Sequence, residues 1–266
     1  GEWKDFYKHQ NNSGKIVLDP FMGSGTTLGE AAKLGASIIG CDVNPVSTFL
    51  VTQALTNVNL NELETEFKLI EFDIKDEIRS YYTTKVPGAS KPTAALYYFW
   101  VKVVTTPTGE KVPLFSSYVF SKNAYASKKP DSQIWCPSCE SIFVGKYNCT
   151  NIKCPSCSHE FNPQNGPAKA TKITDSKGNE YKIKDLVSKS KKAPSHKLYA
   201  IMALNEIGEK VYIKPTKFDH DLLKEASKHL SRIENELPLP TMEVRTGHNT
   251  NQARGYNYNY WRDFFN

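Results

Sequence analysis

Nowhere in these 266 residues do 18 or more apolar side chains run together, so no segment reads as a membrane-spanning helix. No basic-then-apolar leader opens the sequence, and the expected location is the cytoplasm. Six cysteines are too few for a secreted disulfide scaffold of this length, and Gly and Pro at 15 each exclude a collagen-like chain. Charged residues at 23% and aromatics at 12% exclude a fully disordered one. Arginine is missing altogether from Ser121 to His220, a stretch that holds 17 lysines and nine acids. Its surplus of +8 exceeds the whole chain's +6, so the remainder sums to about −2. That basic middle fits either a solvated lysine-rich face or attraction to a phosphate backbone. The first residue is Gly1 rather than Met, which suggests a piece of something longer.

What is present begins as an α/β pattern. Ile16-Val17-Leu18 reads as a buried strand ending at Asp19, Gly23-Ser24-Gly25 as a turn, and Thr26 to Leu34 as a helix closed by Gly35. Ser37 to Val43 reads as a buried parallel strand, with Cys41 as a buried strand thiol, and Pro45 suits the first turn of a second helix. Leu60, Leu63, Phe67, Ile70, Ile74 and Ile78 mark a long amphipathic helix over Asn59 to Tyr82, expected to cover the sheet or a neighbouring domain. Beyond Thr83 the texture changes to short β-type runs such as Leu96 to Val104 and Val112 to Phe120, and a helix resumes over Phe218 to Leu237. The predicted organisation is therefore 1–83, 84–216 and 217–266.

Three short stretches, Thr106 to Val112, Asp175 to Tyr181 and Asn205 to Val211, share a turn glycine followed by a β-former. They are read as hairpins of one kind with two cysteine-bearing ones, Cys136-Pro137-Ser138-Cys139 and Cys154-Pro155-Ser156-Cys157. Two residues between thiolates let both sulfurs of a turn face one ion, and two such turns close a tetrahedral shell, so Cys136, Cys139, Cys154 and Cys157 are predicted to hold structural Zn²⁺. Cys149 and His159 are weaker substitutes. His9, His196, His220, His229 and His248 show no ligand spacing and receive no role.

The other motif is Asp19-Pro20-Phe21-Met22-Gly23-Ser24-Gly25-Thr26-Thr27, answered by Asp42-Val43-Asn44-Pro45 at the end of the second strand. Glycines let the backbone turn tightly against a ligand, the next helix offers N–H groups, and a strand-end acid at this distance suits ribose hydroxyls. The phosphate-loop ending Gly-Lys-Ser/Thr is absent, and the three-glycine dinucleotide pattern is not met. A tight turn that binds nothing is the alternative.

These residues closely resemble the S-adenosylmethionine-binding motif of the DNA amino-methyltransferases that modify adenine N6 or cytosine N4. Tyr98 to Val104, Val112 to Phe115, the cysteine knuckles and Tyr256 to Asn266 look like the zinc-ribbon-containing adenine-specific DNA methylases. The resemblance implies a partial Rossmann-like methyltransferase sheet followed by a hairpin-rich zinc-ribbon β module and a C-terminal helix. It implies that Asp19, Pro20, Phe21, Met22, Gly23, Ser24, Gly25 and Thr26 line the methionine part of the cofactor, that Asp42 binds the ribose, and that Val43 and Asn44 touch the adenine edge. DNA, entered as a flipped base, is the implied partner. The family's Asp/Asn/Ser-Pro-Pro-aromatic tetrapeptide has no counterpart, because no Pro-Pro pair occurs here. The chain is thus expected to be a fragment or one subunit of a split enzyme, inactive alone, with the tetrapeptide on another segment or a second chain. The aromatic and basic tail Arg254 to Trp261 is read either as a nucleic-acid surface or as a loop packing its rings on the sheet. The rival readings are a nucleic-acid-binding accessory protein with a relic methyltransferase half and an RNA or protein methyltransferase.

Overall fold

The structure, a computed structural model, describes residues 12–264. It is mixed α/β and divides into two compact units, Gly1–Asp73 and Ile74–Asn266, the division falling inside one long helix.

In the first unit β1 (Ile16–Asp19), α1 (Thr26–Lys33), β2 (Ser37–Gly40) and α2 (Pro45–Leu55) follow in the expected order. The two strands are parallel, Ile16 opposite Ser37 and Asp19 opposite Gly40. Helix α2 starts cleanly because Asn44 Oδ1 accepts the Val46 N–H at 3.0 Å and Pro45 follows, its fixed φ already helical. The core is small: Met22, Leu28 and Val51, with Ile38 against them.

Three expectations of burial are corrected here. Strands β1 and β2 are not buried on both faces: Ile16, Leu18 and Ile39 are exposed. Cys41, expected inside, is exposed as well. The reason is common to all: among the described residues β1 and β2 pair only with each other, and a parallel sheet so narrow has uncovered edges and faces. Helix α3 (Leu60–Tyr81) has the predicted apolar stripe, yet none of its residues is buried. Periodicity told which side of α3 is apolar; at its C-terminal end Tyr81 meets the His229 ring at 6.0 Å, while the stripe from Leu60 to Ile78 stays exposed.

The second unit contains β3 (Thr83–Thr84), β4 (Thr93–Thr105), β5 (Lys111–Pro113), β6 (Val119–Phe120), β7 (Asp131–Trp135), β8 (Ile142–Lys146), β9 (Ile152–Lys153) and β10 (Glu160–Phe161). It continues with β11 (Ala168–Lys169), β12 (Lys172–Thr174), β13 (Glu180–Lys182), α4 (Ile183–Ser190), β14 (Ser195–Leu204), β15 (Lys210–Ile213), α5 (Lys217–Ile233) and α6 (Asn251–Arg254). The principal sheet runs β15-β14-β4-β3, with β5 added on β4, and every pairing in it is antiparallel. Around its long β4–β14 pair, Leu198, Ile201 and Ala203 form one core, while Val104, Val112, Ile173, Leu186 and Val187 form another. The predicted single run Val112 to Phe120 is broken, because the chain turns after β5 to bury Phe115 against Trp135 and Tyr199 at ring distances of 4.9 and 5.0 Å.

The three cysteine-less repeats are hairpin turns of one kind. In each, residue i donates to the carbonyl of i+4 and a left-handed glycine at i+3 donates back: Thr106 with Glu110, Asp175 with Asn179, Asn205 with Glu209. That is the three-residue hairpin loop with glycine at its left-handed position. The cysteine knuckles are a different turn, one residue longer: Cys136 N–H donates to Ser141 and Cys154 N–H to His159. Their common kinship with the other three is therefore not supported, since a three-residue loop lacks the residue that lets two thiols point at one centre.

Helix α5 is fixed by Asp219, whose carboxylate accepts from the Thr216 N–H at 2.6 Å, the Thr216 hydroxyl at 2.7 Å and the buried Thr84 hydroxyl at 2.5 Å. Asp219→Ala removes the N3 half of the capping box and strands a buried hydroxyl, so we expect a loss of about 2–4 kcal/mol in urea unfolding. Unchanged unfolding would show that the bond to Thr84 contributes nothing net.

Candidate functional site

The chain leaves β1 at Asp19 and enters a loop that β2 holds in place. Asp19 Oδ1 accepts the Phe21 N–H at 3.1 Å, the Asp19 carbonyl accepts the Cys41 N–H at 3.0 Å, and the Cys41 carbonyl accepts the Met22 N–H at 3.1 Å. Asp42 completes the join. Its two carboxylate oxygens accept the Gly23 N–H at 2.9 Å and the Asn44 N–H at 2.8 Å, tying the glycine turn to the end of β2 and the start of α2. The N–H groups of Asn44 and Gly23 outweigh a slight desolvation and hold the Asp42 carboxyl below its ordinary value.

Gly25 adopts φ +76°, and a Cβ there would lie 2.5 Å from Val51 Cγ2, so only glycine lets α1 start this close to α2. Gly40 does the same work in β2, where a Cβ would lie 2.4 Å from Leu28 Cδ1 and 2.5 Å from Met22 Sδ. Sequence reading named Gly23 and Gly25 and passed over Gly40, because a glycine within a strand has no motif to mark it. Around the turn, Ser24 and Thr26 share a hydroxyl hydrogen bond of 3.3 Å, while Phe21 and Val43 stand out at 84% and 98% exposure. The predicted residues Asp19 to Thr26 and Asp42 to Asn44 thus meet at one place. The first N–H groups of α1 have no intrahelical partner, and each Asp42 oxygen keeps a further lone pair, so the turn offers donors and acceptors side by side.

The second constellation lies in the second unit. The Sγ atoms of Cys136, Cys139, Cys154 and Cys157 all fall within 4.8 Å of one another, and the Cys136–Cys157 and Cys139–Cys154 pairs are each at 3.7 Å. A tetrahedral ion with metal–sulfur bonds of about 2.3 Å sets its ligands roughly 3.8 Å apart, so the four sulfurs fit one. The knuckles repeat each other bond for bond: Glu140 N–H donates to the Cys136 carbonyl and Ser158 N–H to that of Cys154, both at 2.9 Å. Glu140 and Ser158 take left-handed φ of 62° and 61°, positions that suit glycine and that sequence reading did not single out. Glu140 is held there by Lys197 and Lys214. Burial pushes the Cys136 thiol up to about 12. Burial also pushes Cys154 upward, but the Ser141 hydroxyl and the N–H groups of Cys157 and Ser156 prevail and bring it to about 6. Cys149 and His159 stay outside the cluster; His159 stacks on Phe161 at 5.5 Å. His9 lies outside the described residues.

In the tail, one ring of the predicted loop packs on the sheet and others stay at the surface. Tyr258 packs down under Lys102, whose Nζ sits 4.7 Å from the ring centroid, while Tyr260, Trp261 and Phe264 stay exposed. Among the described residues no helix is long and apolar enough to cross a membrane.

Comparison with known proteins places the first motif. Residues 6–48 match a family model described as DNA methylase. The Type II methyltransferase M1.MboII of Moraxella bovis is 52% identical over 54 residues, 20% of this chain and 19% of its own length. M.MjaII of Methanocaldococcus jannaschii is 37% identical over 59 residues, 22% of this chain and 11% of its own length. M.MvaI of Kocuria varians is 30% identical over 88 residues, 33% of this chain and 19% of its own length. The chain thus spans less than a fifth of these relatives. No solved structure matches.

Proposed function

We propose that this chain, whose residues 6–48 belong to the DNA methylase family, supplies the S-adenosylmethionine-binding part of a DNA amino-methyltransferase acting on adenine N6. The observation that carries the reading is the Asp42 carboxylate bridging Gly23 and Asn44, which brings the glycine turn and the strand-end acid to one mouth. Asp42 would take the ribose hydroxyls, Asp19 would face the sulfonium cation, and the loop from Pro20 to Thr26 would enclose the methionine part. Val43 and Asn44 would meet the adenine edge. Bound there, S-adenosylmethionine would supply an electrophilic methyl group on its sulfonium, and these residues would hold and orient it toward the acceptor nitrogen. Positioning supplies most of the rate in such a transfer.

The clamp for the amino group comes from elsewhere in this reading, on a further segment or a second chain, since no Pro-Pro pair occurs in the 266 residues. Support comes from the exposed apolar side chains of β1, β2 and α3, of the kind that a wider Rossmann-like sheet would cover. The four cysteines hold Zn²⁺ in a closed shell that leaves no position for substrate, so the ion staples the hairpins. The test is a calorimetric titration of the full chain with S-adenosylmethionine, zinc content measured on the same sample. One saturable site per chain is expected. A folded, zinc-loaded sample that binds none overturns the reading. It would favour a nucleic-acid-binding accessory protein, which the +8 surplus of Ser121 to His220 also suits. Competition between duplex DNA and RNA separates the RNA methyltransferase.

A further inference from the structure

The two cysteine knuckles repeat each other in their backbone bonds but not in what supports them. The first, Cys136 to Ser141, is carried by the β7–β8 hairpin, whose Ile134 and Trp135 are buried. Its Glu140 pairs with Lys197 of β14 and with Lys214, and Lys214 Nζ also donates to the Cys139 carbonyl at 2.9 Å. The second knuckle, Cys154 to His159, joins two strands of two residues each. Ser158 stands in it where the first has Glu140, so no ion pair can anchor that corner.

One side chain reaches from the anchored knuckle to the other. The half-buried Ser141 puts its Oγ 3.1 Å from Cys139 Sγ and 3.2 Å from Cys154 Sγ. Apart from the two sulfur–sulfur contacts, this is the one hydrogen bond between the knuckles among the described residues. Its placement is one-sided. The Ser141 carbonyl accepts the Cys136 N–H as the His159 carbonyl accepts that of Cys154, so His159 holds the equivalent position. The His159 ring stacks on Phe161 at an angle of 15° and stays outside the cluster. The Cys139–Cys154 edge of the shell therefore has a hydroxyl beside it, and the Cys136–Cys157 edge has none among the described residues.

We infer that Ser141 is a positioning residue for the metal ion, a role that rests on the zinc reading above. A divalent ion held by four thiolates leaves the shell with a net negative charge, and a coordinated thiolate has no proton to give. The hydroxyl hydrogen must then point at sulfur, and with two sulfurs at nearly equal distance it serves both. The bond draws Cys154 of the weakly held knuckle to Cys139 of the anchored one and takes up part of the thiolate charge. Outer partners of metal ligands act in both ways, by fixing orientation and by tuning the ligand atom.

The test measures zinc and cobalt on the full chain. Competition with a chromophoric chelator gives the zinc affinity, and Ser141→Ala should lower it roughly 10–100-fold. Ser141→Thr keeps the hydroxyl and should recover most of the loss. Cobalt reports on the bond itself. A hydrogen bond lowers the energy of the sulfur electrons, so its removal in Ser141→Ala should move the sulfur-to-cobalt charge-transfer band to longer wavelength, and Ser141→Thr should restore the band. His159→Ala, at the equivalent position, should change neither affinity nor band. A weaker site with an unmoved band makes Ser141 a packing residue and overturns the inference. An equal loss in His159→Ala does the same. One ion per chain, held as tightly by Ser141→Ala as by the unaltered chain, overturns the inference and leaves the zinc reading standing. An unaltered chain that takes up neither metal overturns both.

Discussion

On the zinc reading proposed above, Cys154→Ser should release the ion and open the β9–β10 hairpin, while the principal sheet stays folded. Cys154 is buried, and its sulfur lies within 3.2 Å of the Ser141 hydroxyl and 3.7 Å of Cys139, at the centre of the cluster. Of the two hairpins it ties together, β7–β8 has its own core in Ile134 and Trp135, while β9–β10 has little else to hold it. Strands β9 and β10 are two residues each, and the apolar side chains they contribute, Ile152 and Phe161, are only partly buried. Structural zinc in small cysteine modules contributes about 10–16 kcal/mol of apparent folding free energy near neutral pH, so losing one of four thiolates removes several kcal/mol from a hairpin with little reserve. The β4–β14 sheet has its own core in Leu198, Ile201 and Ala203 and does not depend on the ion. Hydrogen exchange should therefore show protection lost over residues 152–161 and kept over 195–204. Chelation of the unaltered chain should reproduce the pattern. Cys41→Ser and Cys149→Ser, outside the cluster, should keep full zinc content; loss of zinc in either would mean that the four-cysteine shell is wrong.

What could be read from the sequence was the part that local geometry dictates. A left-handed turn favours glycine, so Gly23 and Gly25 announced themselves, and a two-residue spacing lets two thiols face one ion, so the cysteines did too. Cover is not local. The apolar run of β1 and the stripe on α3 told that these surfaces are apolar, and neither could tell how little of them the described residues cover. Cys41 was misjudged for the same reason. The knuckles and the three other turns looked alike because they differ by one residue in loop length, which shows only in their hydrogen bonds. Pairings across long stretches of chain were out of reach as well. Thr84 meets Asp219 across 135 residues, and Lys102 covers Tyr258 from another part of the chain, with no periodicity to signal either.

Asp42→Ala should abolish measurable S-adenosylmethionine binding without touching the zinc. The substitution removes the carboxylate proposed to accept the ribose hydroxyls and at the same time leaves the Gly23 and Asn44 N–H groups without their partner, so the turn loses the bond that ties it to β2. Hydrogen bonds to a charged group contribute about 1.5–3 kcal/mol each, and a loss of about 3 kcal/mol is already roughly a hundred-fold in affinity. Asp42→Asn separates the two roles. Its amide oxygen still serves one N–H while its NH₂ opposes the other, so binding should fall by an intermediate amount with the turn largely kept. Gly25→Ala attacks the geometry alone: φ +76° and the contact with Val51 displace α1, and the carboxylate remains. It should weaken binding and destabilise the first unit by about 1–3 kcal/mol. The pH profile gives an independent check. Asp42 sits below its ordinary value of 3.8, so its stabilising charge is complete above about pH 4 and is lost only as pH falls through the lowered value. Cofactor binding should accordingly stay level from neutral pH down to about 4 on this group's account and then decline, and Asp42→Asn should remove that acid limb. Wild-type affinity in Asp42→Ala would disconnect the strand-end acid from the cofactor, and the glycine turn would then be a structural joint between β1 and α1.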